Sequence, residues 1–164
     1  TTSPTTPVPT VVQTGSSTAT LTWTVSTDDV GVVSYLYGFS TSSDTLPTTL
    51  VSGTTTSVDV TLEDGIWFAS VQAVDAAGNV SLVGTTTSLV VDTTRPVITL
   101  NGTSTITLYL HDSYTEQGAT AFDDIYGDIT SSIQMLGSVD TDTLGDYTIT
   151  YVVTDASGDR KSVV

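Results

Sequence analysis

One short pattern occurs twice in the chain at a fixed offset. The first copy runs Gly65-Ile66-Trp67-Phe68-Ala69-Ser70-Val71-Gln72-Ala73-Val74-Asp75-Ala76-Ala77-Gly78-Asn79. The second runs Gly145-Asp146-Tyr147-Thr148-Ile149-Thr150-Tyr151-Val152-Val153-Thr154-Asp155-Ala156-Ser157-Gly158-Asp159. Gly65 and Gly145, Trp67 and Tyr147, and Asp75 and Asp155 are each 80 residues apart. Self-similarity at such a period implies two tandem copies of one small domain. Each copy reads as an aromatic-anchored strand that ends in an Asp-x-x-Gly-Asn/Asp turn. The 164 residues then divide into a first domain over 1–93 and a second over 94–164. The boundary is predicted within Asp92–Pro96, where Thr and Pro suit a short extended linker. Domains this small bury modest cores, so a bound metal ion would matter to their stability.

The strand character extends through the chain. Leu21, Trp23 and Val25 alternate with polar residues; so do Val33, Tyr35, Tyr37 and Phe39, then Val58, Val60 and Leu62, then Trp67, Ala69, Val71 and Ala73. This is the period of two expected of strands with one buried face. In the second copy, strands are predicted at Val97–Leu100, Thr105–Leu110, Ala119–Phe122, Ser132–Leu136 and Tyr147–Val153. Ser and Thr make up about a third of the chain, and no helical period persists beyond two turns. Short alternating strands with turns at regular spacing predict an all-β protein of two tandem Ig-like β-sandwiches. Residues Thr1–Thr10, with three prolines, are expected to form an extended lead-in outside the core. Only Arg160–Val164 follow the second turn, against Val80–Asp92 after the first, so the last strand of the second domain is expected to be truncated.

Eighteen acidic residues face three basic ones, for a net charge of −15. Phosphate backbones are bound through Lys and Arg, so nucleic acid is excluded as a partner. No apolar run reaches the ~20 residues of a membrane helix, so no membrane insertion is expected within this segment. Cysteine is absent, which leaves the redox compartment undetermined. With one His (His111), one Lys and no Cys, sets of nucleophile, base and orienting group are barely available, and no catalytic residues are assigned. Asn79-Val80-Ser81 and Asn101-Gly102-Thr103 fit the acceptor pattern for N-glycosylation, a pattern that arises by chance in a Ser- and Thr-rich chain.

Thr20-Leu21-Thr22-Trp23-Thr24, Asp28-Asp29-Val30-Gly31-Val32 and Val74-Asp75-Ala76-Ala77-Gly78-Asn79 make the first copy similar to bacterial Ig-like or fibronectin type III-like modules. Gly118-Ala119-Thr120-Ala121, Gly127-Asp128-Ile129-Thr130, Gly137-Ser138-Val139-Asp140 and Gly145-Asp146-Tyr147 make the second resemble the Ig-like repeat of bacterial surface proteins, found also on pesticidal crystal proteins. The resemblance implies a spacer or stalk of an adhesin, surface layer or filament. Its partners would be neighbouring Ig-like domains or copies of itself, outside the cell or on its surface. It implies, as the alternative, an accessory carbohydrate-binding module of a secreted hydrolase, with glycans as partners.

The acidic loops are the chemical signal that remains. In such a sandwich the B–C and F–G loops share one end. Asp123, Asp124 and Asp128 are therefore expected near Asp155, facing Asp92 in the linker. Asp28 and Asp29 are likewise expected near Asp75 and Asn79. Converging hard oxygen ligands suit Ca²⁺, and calcium is the cofactor these clusters suggest. The competing reading is that the same residues only build turns, by bonding their own backbone. In a halophile, the acidity would instead serve hydration. Trp67 and Tyr147 are expected to be corner aromatics that anchor their strands; Trp23 is expected in the core.

Overall fold

The structure is a computed structural model that describes residues 2–164. Thr1, the first residue of the predicted lead-in, lies outside the described residues. The chain separates after Asp92 into two compact units, the second being Thr93–Val164.

In the first unit, β1 (Pro9–Gln13), β2 (Thr18–Trp23) and β5 (Ser57–Thr61) form one antiparallel sheet in the order β1-β2-β5. The other sheet runs β4 (Thr49–Ser52), β3 (Val32–Ser40), β6 (Gly65–Asp75), β7 (Gly84–Thr85), and β8 (Leu89–Val91) pairs with the start of β6. Alternation points Leu21 and Trp23 of β2 at Tyr35 of β3 and at Ala69, Val71 and Ala73 of β6, and these six side chains are the core. Trp23 meets Tyr35 edge-on, with ring centroids 5.5 Å apart. The Tyr35 hydroxyl, fully buried, accepts the Ser26 backbone N–H at 2.7 Å. Strand phase departs from the expected pattern at one end of β3. A bulge between Val32 and Ser34 shifts the register. Val32 packs against the core and Val33 turns to solvent. Val25, beyond the end of β2, is also exposed.

The lead-in is not the free extension expected from its composition. Pro4, Pro7 and Pro9 are all buried. Thr5 N–H donates to the Thr27 carbonyl, Val8 N–H donates to Thr24 Oγ1, and β1 begins at Pro9. The prolines lack N–H donors and fix φ near −65°. They can pack their rings while the intervening threonines and valine make the hydrogen bonds. Gly84 is required here, because a Cβ on it would fall on the Pro7 carbonyl oxygen.

In the second unit, β9 (Val97–Leu100), β10 (Ala119–Asp123) and β11 (Gly127–Asp128) form one antiparallel sheet in the order β11-β10-β9. β12 (Gln134–Leu136), β13 (Thr150–Thr154) and β14 (Arg160–Val163) form the other, in the order β12-β13-β14. A short 3₁₀ turn at Thr130–Ser132 crosses between them. The core is smaller than that of the first unit: Ile98, Ala121, Tyr151 and Val153. Thr105–Leu110 is not a strand, contrary to its alternating sequence. That segment and residues 139–149 instead wall a cleft of about 380 Å³. Residues after the second turn are paired, since β14 runs along β13 from Tyr151↔Val163 to Thr154↔Arg160.

Candidate metal centre

Alternation carries the decisive aspartates inward. In β10, Ala121 and Asp123 are both buried while Phe122 between them is exposed. In β13 and just beyond it, Tyr151, Val153 and Asp155 continue one inward row. Each row therefore ends in a carboxylate at the rim of the core. Asp123 is 1% exposed and Asp155 8%.

Both carboxylates are half used. Asp123 Oδ1 accepts the backbone N–H groups of Ile125 at 2.9 Å and Tyr126 at 3.0 Å, closing the loop that follows β10. Asp155 Oδ1 accepts the Asp159 N–H at 2.9 Å, closing the turn that follows β13. The Tyr126 hydroxyl and Ser157 Oγ, 2.9 Å apart, tie the loop to the turn. The remaining oxygens, Oδ2 of Asp123 and Oδ2 of Asp155, are buried without any hydrogen-bond partner. A carboxylate oxygen of Asp123 lies within 4.8 Å of one on Asp155. Among the described residues no basic side chain is ion-paired with either. A buried charged oxygen left unpaired costs more than an ordinary hydrogen bond returns. An oxygen-only set of this kind is suited to a hard divalent cation.

The other aspartates predicted for this cluster are placed differently. Asp124 begins the turn after β10, is exposed, and accepts the Thr94 hydroxyl. Asp128 is exposed; the Thr130 side chain and then its backbone N–H hold the Asp128 carboxyl below its usual value. Asp92 is buried immediately after β8, at the end of the first unit.

In the first unit Asp75 closes its turn with both carboxylate oxygens, while Asp28 Oδ1 is buried without a partner. Asp75 Oδ1 accepts the N–H groups of Ala77 and Asn79, both at 2.8 Å, and Asp75 Oδ2 accepts Asn79 Nδ2 at 2.7 Å. Burial pushes the Asp75 carboxyl up, but bonds from the Asn79 side chain and from the Asn79, Ala77 and Gly78 backbone hold it below its usual value. Asp28 Oδ2 caps its own loop by accepting Val30 N–H, and Asp29 Oδ1 accepts the Thr2 hydroxyl.

The repeated aromatics are corner residues. Trp67 Nε1 donates to the Glu63 carbonyl, and the Tyr147 hydroxyl donates to the Thr143 carbonyl, each four residues upstream at 2.9 Å. Neither ring is buried: Tyr147 is 38% exposed. Their contribution is to fix the bend into the strand more than to fill the core.

Sequence reasoning missed a polar cluster on the wall of the second unit's cleft. Glu116 accepts the hydroxyls of Tyr114 and Tyr151 and the Gly118 N–H. The bonds from Tyr114 and Tyr151 hold the Glu116 carboxyl below its usual 4.5. Burial, followed by the bond to Glu116, pushes the Tyr151 hydroxyl up to about 12. A carboxyl depressed by folding contributes stability that is present above its unfolded value and is lost as pH falls through its folded value. The second unit is thus expected to lose stability as pH drops below about 4.5. Glu116→Gln should be less stable at neutral pH and show a shallower decline on acidification. Urea melts at pH 3 to 7, followed by near-UV tyrosine signal, measure both.

Residues 98–164 match the family of bacterial surface protein, Ig-like domain. The match lies wholly within the second unit. Chitinase A1 of Niallia circulans is 39% identical over 82 residues, a stretch that covers 49% of this chain and 11% of the chitinase. A solved structure titled "Myokine structure" aligns over 52% of this chain and 98% of its own length, at 23% identity and a TM-score of 0.37. Among the described residues, no helix is long and apolar enough to cross a membrane.

Proposed function

We propose that the chain is a non-catalytic structural module of a secreted or cell-surface bacterial protein. It spaces what it connects, as a stalk or surface-layer element does, and a calcium ion bound by Asp123 and Asp155 firms its second unit. The observation that carries the calcium reading is the pair of buried, unpartnered Oδ2 atoms on neighbouring aspartates. The match of residues 98–164 to a surface-protein domain supports the extracellular setting. Extracellular calcium modules work at about 10⁻⁴–10⁻³ M, a range that suits a site with few carboxylates.

Differential scanning calorimetry in CaCl₂ or in EGTA tests this. At ~10 mM calcium, a Kd in that range stabilises by roughly 1.4–2.7 kcal/mol. For a unit of this size, that raises its melting transition by about 5–20 °C. Asp155→Asn should remove the response. Identical transitions in the two buffers would reduce these aspartates to turn formers.

A second reading, an accessory carbohydrate-binding module, draws on the likeness to chitinase A1 and on Tyr109, a strongly exposed aromatic on the cleft wall. Retention on insoluble chitin, lost on Tyr109→Ala, would favour it over the spacer. Equal elution from chitin and from plain resin would dismiss it.

A further inference from the structure

The two repeated turns share a pattern of backbone hydrogen bonds and differ in side chain at two places, Ala77 against Ser157 and Asn79 against Asp159. In the first, Asp75 N–H donates to the Asn79 carbonyl at 3.0 Å and Gly78 N–H to the Asp75 carbonyl at 3.2 Å. In the second, Asp155 N–H donates to the Asp159 carbonyl at 3.1 Å and Gly158 N–H to the Asp155 carbonyl at 3.3 Å. Gly78 and Gly158 adopt φ of 88° and 96°, and both turns expose the three residues after a buried aspartate. In both, the closing residue's N–H binds Oδ1 of that aspartate.

The difference that reaches Oδ2 of the buried aspartate is the side chain at the closing position. Asn79 Nδ2 donates to Asp75 Oδ2 at 2.7 Å and also reaches the Thr2 carbonyl at 3.3 Å. An aspartate there has no hydrogen to give. Asp159 stands at that place in the second turn, and Asp155 Oδ2 is buried without a partner.

We propose that the residue closing this turn is the determinant of cation binding. Asn79 closes the first turn against a cation with its own amide. Asp159 leaves Asp155 Oδ2 open to a divalent cation, and Asp123 Oδ2 supplies the facing ligand. Asparagine in the first turn satisfies the buried aspartate's Oδ2, and aspartate in the second leaves it open. The inference rests on the calcium reading above and adds what makes the second unit the binding one.

The test is calorimetric titration of the intact chain with CaCl₂ alone, using wild type, Asp159→Asn and Asp159→Ala. The asparagine restores the donor, and the alanine removes the carboxylate without supplying one. Wild type is expected to bind one ion. Asp159→Asn should bind at least tenfold more weakly and melt higher in EGTA, because its amide now satisfies Asp155. Asp159→Ala should bind within threefold of wild type. The melt in EGTA shows that each variant is folded. Equal binding by wild type and Asp159→Asn would overturn the determinant and leave the calcium reading standing. Equal loss in both variants would also overturn it, since Asp159 would then act through its own charge. No binding by wild type would overturn the calcium reading itself.

Discussion

Tyr35→Ala is expected to cost the first unit about 3–5 kcal/mol, the range for removing a large buried aromatic. Tyr35 is fully buried, packs edge-on against Trp23, and receives the Ser26 N–H on its hydroxyl. Truncation removes the ring, opens a cavity between the two sheets and leaves that N–H without its acceptor. Small domains have about 5–15 kcal/mol of stability in all, so the loss consumes much of the unit's margin. The readout is specific, because both tryptophans, Trp23 and Trp67, lie in the first unit. Urea unfolding followed by tryptophan fluorescence should show the midpoint collapse. A shift worth less than about 1 kcal/mol would place Tyr35 outside any packed core.

Gly137→Ala should be the most damaging small change in the second unit. Gly137 has φ of 99°, and a Cβ built on it falls on the Thr148 carbonyl oxygen. Left-handed backbone alone costs a side chain roughly 1–2 kcal/mol, and here the overlap is with backbone, which cannot swing aside. Gly158 is the internal control, with φ of 96° and open space around its Cβ position. Gly158→Ala should therefore lose only the ~1–2 kcal/mol due to φ, and Gly137→Ala distinctly more. Equal losses in near-UV melts of the two variants would mean that the approach of Gly137 to Thr148 does not constrain the fold.

What was legible in the sequence was whatever depends on local period. The alternating rows through Leu21 and Trp23 and through Ala69, Val71 and Ala73 became the first core because a strand's phase persists where its pairing is regular. Val33 failed because a bulge resets that phase, and a bulge is set by the partner strand. Thr105–Leu110 failed for a related reason. Its alternation suits a strand, yet among the described residues no strand pairs with it, and pairing decides whether strand propensity is realised. The lead-in prolines looked like linker because composition does not reveal that rings can be buried while neighbouring residues make the hydrogen bonds.

In the candidate site, proximity along the chain was a weak guide. Asp123 and Asp124 are adjacent, but Asp123 ends the inward row of β10 and Asp124 opens the exposed turn after it, so one joins Asp155 and the other bonds Thr94. The informative signal was already in the repeat, as Asn79 against Asp159. Its meaning needed the hydrogen bond from Asn79 Nδ2 to Asp75 Oδ2. The Glu116 cluster joins Tyr114 and Gly118, close in sequence, to Tyr151, 35 residues away, a separation that no local pattern bridges.

The most direct measurement is a CaCl₂ titration of the isotope-labelled chain followed by backbone amide NMR. The account predicts saturable shifts at Ile125, Tyr126 and Asp159, whose N–H groups bind the two aspartates. It predicts none at Ala77 and Asn79, where Asp75 is already satisfied. Weak, non-saturating shifts spread over the exposed acids, or equal shifts in both turns, would contradict it.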